Sequence, residues 1–257
     1  MTSEQKELPE VYIYMGESID GKGSGEMFLV PESKLGLKYY FEQEYSFGCT
    51  SILMGRTTFQ EFTGDKAIDY TGITEENIIK KDYISDNVKK TKYYYISLDK
   101  NGKINWPTGY GLYGADFGRT EKTHIITVLS EDVELKYLAY LQKIGASYIF
   151  AGEKNIDLKL ALKKLKNLFG IDKILCQGGP KTNELLLKEN LVEKIILIKL
   201  PVIGQPGALP ILGESPLSAW DLESFQLLSD KRTLVLVYKI DRNSQKNRKL
   251  NNFSLFK

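Results

Sequence analysis

The chain is poor in the residues that build metal centres and cross-linked frameworks: its 257 residues include one histidine, His124, and two cysteines, Cys49 and Cys176. Two cysteines in separate segments cannot make a disulfide framework, and one histidine leaves no Cys/His zinc set, so no structural metal is expected. Long apolar runs are missing as well. The opening "MTSEQKELPEVYIYMG" is charged and lacks the apolar stretch of a secretory signal, and no later run is long enough to cross a bilayer, which predicts a cytoplasmic protein. There is no internal repeat and no Pro/Ser-rich linker, so residues 1–257 read as one domain, and 42% hydrophobic residues suffice to pack its core.

A large charge excess is also absent. The net charge of +2 excludes a design built on nucleic-acid phosphates. Only the tail is basic, with Arg242, Lys246, Arg248, Lys249 and Lys257 against Asp241. A solvated tail outranks a nucleic-acid arm there, because its only aromatics are Phe253 and Phe256 and no recognisable basic motif accompanies them.

What is present is strand and helix periodicity. "VYIYM" at Val11–Met15 predicts a strand, "PESKLGLKYYFEQEY" a helix opened by proline, and "TSILMG" a buried strand. Residues 63–123 lack sustained period and read as an irregular insertion. Within it, "YYYISLDKNGKINW" predicts a hairpin turning at Asn101-Gly102. From His124 onward "HIITVL", "EDVELKYLAYLQKIG", "SYIFAG", "DLKLALKKLKNLFG" and "DKILCQGG" alternate as strand and helix, the helices closed by Gly145 and Gly170. Consecutive βαβ units make a mostly parallel sheet. After one more short helix, "EKIILIKLP" adds a buried strand, and "TLVLVYKI" ends the fold as a strand antiparallel to "ESFQLL".

Two strand-to-helix turns carry the chemistry. In "LCQGGPKTNELL" an apolar strand reaches Gly178-Gly179 and Pro180 opens a helix, so backbone amides point at whatever approaches the helix start, and glycine permits a close approach. A tight turn alone would need the same glycines. "ILMGRTTFQEF" repeats the arrangement: Gly55 ends a buried strand, and Arg56, Thr57 and Thr58 open a helix, a planar guanidinium and two hydroxyls suited to phosphate. A threonine cap beside a solvated arginine is the plain alternative. Together the turns fit a ligand with several phosphates along the C-terminal edge of a sheet. "SIDGK" places Ser18, Asp20 and Lys22 after the first strand, where Asp20 can donate a proton or anchor substrate, or simply form an Asp-Gly turn. His124, with no nucleophile motif nearby, reads as structural.

The ordered set "SIDGK", "LMGRTTFQEF", "YYYISLDKNGKINW", "YIFAGEKNIDLKLALKKL" and "ILCQGGPKTNELLLKENLVEKIILIKLPVIG" resembles the pyrimidine reductases of riboflavin biosynthesis, from about Val11 to Ile240. That resemblance implies a dihydrofolate-reductase-like fold, a three-layer α/β/α sandwich with a mostly parallel central sheet and a C-terminal antiparallel strand. It implies NADPH as hydride donor, a homodimer, and reduction of the open-chain imine of a ribosylaminopyrimidine, 5-amino-6-(5-phosphoribosylamino)uracil. By motif, Gly55, Arg56, Thr57 and Thr58 would receive cofactor phosphates, Arg56 favouring the 2′-phosphate. Gly178, Gly179, Pro180 and Lys181 would wrap the pyrophosphate, Ser130 would lie near the adenosine, and Gly152 would line the groove. Ser18, Asp20 and Lys22 would be the catalytic residues beside nicotinamide and substrate. The chain departs from the family pattern at Gln177, commonly acidic, and after "TTFQEF", where "TGDKAIDYTG" replaces an Asn-Pro and arginine pattern. A dihydrofolate reductase is the nearest alternative, offering Glu32 of "LVPESKLGLKYYF" as a buried acid and sensitivity to methotrexate as the discriminating test. A nucleotide-binding protein without catalysis is the alternative from another class. Tyr110, Tyr113 and Phe117 of the irregular segment are candidates for a lid.

Overall fold

The computed structural model describes residues 7–64, 66–111 and 123–241. Its elements run β1 (Glu10–Glu17), α1 (Lys34–Glu42), β2 (Ser51–Gly55), α2 (Arg56–Thr63), β3 (Tyr93–Leu98), β4 (Tyr110–Gly111) and β5 (Thr123–Leu129). They continue with α3 (Leu135–Ile144), β6 (Ser147–Phe150), α4 (Leu158–Phe169), β7 (Lys173–Cys176), α5 (Pro180–Lys188), β8 (Val192–Lys199), β9 (Trp220–Leu227) and β10 (Leu234–Ile240). One sheet orders these strands β4-β5-β3-β2-β7-β1-β8-β10-β9, with β6 beside β5. The pairs among β1, β2, β3, β5, β6, β7 and β8 are parallel, while β10 runs antiparallel to both β8 and β9. The mixed α/β class, the mostly parallel sheet and the antiparallel end are therefore as expected.

Side chains alternate across this sheet because a strand has period two. On one face Tyr12 and Tyr14 of β1 join Ile52, Met54 and Tyr95 and pack with residues of α1, α2 and α3, among them Tyr40, Phe59 and Tyr137. On the other, Val11, Ile13 and Met15 join Leu53 and Ile96 under α4 and α5. The layers are thus helix, sheet, helix. Helix α4 shows how local sequence fixes them: Asp157 caps it by accepting from the Leu160 amide at 2.9 Å, and Gly170 ends it at φ +66°. Leu158, Ala161, Leu162, Leu165 and Phe169 form its buried stripe, each leucine contributing about 1.5–3 kcal/mol by burial.

The predicted hairpin at Asn101-Gly102 is not formed. Strand β3 is an interior parallel strand between β2 and β5, and the residues after it form a loop with no strand partner among the described residues. The reason lies in Asp99, whose Oδ2 accepts from the Lys103 and Ile104 amides at 2.6 and 2.9 Å and folds the segment back on itself. Ile104 and Trp106 then sink into the core as loop residues. The "YYY" run is strand as expected, with Tyr94 and Tyr95 both buried, on opposite faces, as an interior strand requires. Of the lid candidates, Tyr110 pairs with His124 through β4, and Tyr113 and Phe117 lie outside the described residues, as does the tail from Arg242. Among the described residues no helix is long and apolar enough to cross a membrane.

Candidate functional site

Parallel strands bring their C-terminal ends to one edge, so residues far apart in sequence become neighbours there. Gly55 after β2 and Gly178 after β7 touch directly: the Gly55 amide donates to the Gly178 carbonyl at 2.9 Å, and the Gly179 amide donates to Thr58 Oγ1 at 3.1 Å. Neither helix start carries a side-chain cap. The first-turn amides of α2 thus lack an intrahelical partner, and Arg56 and Thr57 above them are exposed. Such a combination of bare amides, the positive end of a helix dipole and a guanidinium is suited to an anion.

The glycines are there because a side chain would be crowded. A Cβ on Gly55 would stand 2.7 Å from Thr182 Oγ1. Gly178 adopts φ +85°, with Met15 Sδ 3.0 Å from where a Cβ would be, and the Gly178–Gly179 peptide is cis. The second turn is held more tightly than the first. Lys181 is exposed and pairs with Glu184 at 2.9 Å, and Lys188 joins the same carboxylate. Lys188 first, then Lys181, holds the Glu184 carboxyl down to about 2.

Ser18, Asp20 and Lys22 come together in one turn after β1. Asp20 Oδ1 accepts from Ser18 Oγ at 2.6 Å and from the Gly204 amide at 2.8 Å, and Ser18 Oγ accepts from the Lys22 amide at 2.9 Å. The Gly204 amide, then the Ser18 hydroxyl, holds the exposed Asp20 carboxyl below its usual range. It is a fixed anion at neutral pH, so of its two expected roles an anchor for a cationic or N–H group fits better than a proton donor. Ser18 itself is buried and closes the turn.

At the far side of the edge, Ser130 follows β5 and Gly152 follows β6. Ser130 is buried and its hydroxyl donates to the Lys100 carbonyl at 2.8 Å, while the Gly152 carbonyl accepts from the Glu131 amide at 3.0 Å. Gly152 has φ +99°, with Asn155 O occupying the space a Cβ would need, so the groove there is backbone.

Charged groups that no motif singled out also gather here. Glu17 at the end of β1 is buried and pairs with the half-buried Lys199 of β8 at 2.6 Å. Glu44, fully buried, accepts from Gln177 Nε2 at 2.6 Å. That contact accounts for the amide at 177: a carboxylate there would meet Glu44 at hydrogen-bond distance. Glu32, by contrast, is exposed, because it lies in a short 3-10 turn on the surface, so the buried acid of a dihydrofolate reductase is not at this position. Glu44 carried no signal, being one of several acids in "FEQEY".

Comparison with known proteins agrees with this architecture. Among curated protein sequences none matches the chain. A Saccharomyces cerevisiae riboflavin biosynthesis reductase, Rib7, superposes with a TM-score of 0.57 at 17% identity, over 91% of this chain and 90% of that one. A pyrimidine reductase-like protein from Corynebacterium diphtheriae superposes with a TM-score of 0.59 at 18% identity, over 95% and 96%. An Acinetobacter baumannii RibD does so with a TM-score of 0.57 at 14% identity, where this chain spans 58% of its length. The model of the RibD C-terminal domain family matches residues 9–234, and the chain belongs to that family.

Proposed function

We propose that the protein is an NADPH-dependent reductase of a small heterocyclic substrate, the ribosylaminopyrimidine of riboflavin biosynthesis being the first candidate. The observation that carries the reading is the juxtaposition of Gly55 and Gly178 at one sheet edge, where α2 presents uncapped amides under an exposed Arg56. Bound there, NADPH supplies the hydride, since no protein side chain can donate one. The amides of Arg56, Thr57 and Thr58 receive phosphate, the guanidinium favours the 2′-phosphate, and Gly178 admits the cofactor chain without steric conflict. Pro180 starts α5 in place, and Lys181 adds positive charge at the rim. Asp20 holds the amino or imino side of the substrate by charge, and Lys22 in the same turn faces the substrate's oxygens. The protein's contribution is orientation and electrostatics. Family membership and the Rib7 likeness support this reading.

A homodimer belongs to the same proposal. Strand β9 is a sheet edge that leaves Leu222, Phe225 and Leu227 exposed, an apolar strip suited to a second copy.

The test is a fluorescence titration with NADPH and NADH, followed by consumption of NADPH with 5-amino-6-(5-phosphoribosylamino)uracil. Binding that favours NADPH, with stoichiometric oxidation, is expected. Failure of both nucleotides to bind refutes the reductase reading, and binding without turnover of this or related substrates leaves a nucleotide-binding protein.

A further inference from the structure

Strands β2 and β3 run parallel with Gly55 beside Leu98, so the next residue of each, Arg56 and Asp99, leaves the sheet at the same level. Asp99 is buried, with 1% of its surface exposed. Its Oδ2 is used by the turn, accepting from the Lys103 and Ile104 amides, with Tyr137 Oη at 3.4 Å. Its Oδ1 is buried and has no hydrogen-bond partner among the described residues. An asparagine oxygen could accept both amide hydrogens without the desolvation penalty of a buried charge. The turn therefore accounts for one oxygen of Asp99 but not for the second.

We propose that Asp99 determines cofactor specificity: its charge opposes that of Arg56 at the β2–β3 rim and weakens the hold on the 2′-phosphate that Arg56 attracts. The inference rests on the cofactor reading above. An acid at a strand end beside an adenosine ribose disfavours a phosphate on the 2′-oxygen by repulsion, while the arginine next to it favours one. Burial raises the Asp99 carboxyl above its usual range, and the Ile104 and Lys103 amides and the Arg56 charge draw it back toward the ionised form. With both charges in place the preference for NADPH over NADH is modest, and each charge can be removed separately.

The experiment compares Kd values for NADPH and NADH in the full chain for wild type, Asp99→Asn and Arg56→Ala, at constant ionic strength. Asp99→Asn is expected to raise the NADPH preference about fivefold by tightening NADPH alone. Arg56→Ala leaves Asp99 unopposed and, measured at pH 8 so that loss of the arginine's charge does not leave the carboxyl protonated, is expected to carry the preference past unity, so that NADH binds better. This second variant keeps the turn intact and decides the matter should Asp99→Asn fail to fold. A preference unchanged in Asp99→Asn, or one that falls only to unity in Arg56→Ala, overturns the role of Asp99 while leaving the cofactor site standing. Binding of neither nucleotide by the wild type overturns both.

Discussion

At Gly55 the chain passes from β2 into α2 with bare amides and an exposed arginine, whereas at Gly178-Gly179 it passes from β7 into α5 through a turn held from three sides. Thr58 takes the Gly179 amide, Glu44 takes the Gln177 amide, and Glu184 takes Lys181 and Lys188. Two turns with the same strand-glycine-helix pattern thus do different work. The first leaves its guanidinium exposed above an uncapped helix start. The second fixes a backbone surface, and its polar groups are spent on keeping the glycines where they are. A motif identifies the possibility of a phosphate site, and the partners of its amides decide how it is used.

The largest break in this comparison comes from the buried side of the second turn. Gln177→Glu places a second carboxylate against Glu44 at the 2.6 Å now spanned by a hydrogen bond. Two carboxyls so close share a proton, which raises the folded-state pKa of the pair above its unfolded value. A raised pKa stabilises the folded protein below the unfolded value, and that contribution is lost as pH rises through the folded one. The variant is therefore expected to lose about 3 kcal/mol at neutral pH and to recover much of it near pH 5, in thermal melts followed by circular dichroism. Equal melting of variant and wild type at neutral pH would show that Glu44 does not press on this position.

Gly55→Ala comes next, since it pushes the two turns apart. The backbone at Gly55 is extended, with φ −73°, so the only obstacle is Thr182 Oγ1 at 2.7 Å. Crowding of this kind costs about 1–3 kcal/mol. Adding Thr182→Ala should restore most of it, because the two changes share one contact and are not additive. No rescue would place the damage elsewhere.

The contrast between the turns also bears on how much the sequence could disclose. Helices α3 and α4 were legible because their apolar spacing is regular and Gly145 and Gly170 end them in left-handed conformations. Both glycine turns were legible as patterns. Strand β3 was legible only as strand and not as an interior one, because pairing with β2 and β5 is a long-range fact and the Asn101-Gly102 signal is local. The partners that hold the second turn, Thr58 and Glu44, come from other segments and resemble ordinary residues in sequence.

Thr58→Val probes the link between the turns at smaller cost. It keeps the shape of the side chain and deletes the oxygen that accepts from the Gly179 amide at 3.1 Å. Losing one such bond is expected to cost about 1 kcal/mol in denaturant melts and to weaken both nucleotides equally, since the proposed reading sets the glycine surface against the part they share. A selective loss of NADPH would instead assign Thr58 to the 2′-phosphate.

The smallest effect belongs to Lys181. Its side chain is 74% exposed, and Glu184 retains Lys188 when Lys181 is removed. Lys181→Ala is therefore expected to change stability by less than about 0.5 kcal/mol. On the proposed cofactor reading, what remains is the charge that it would offer a bound pyrophosphate, and that contribution weakens with salt because the group is solvated. The Kd for NADPH in the variant and in the wild type should differ at low ionic strength and converge as salt rises. A difference that persists at high salt would mean that Lys181 leaves Glu184 for the ligand when the cofactor binds, making the second turn as open in use as the first.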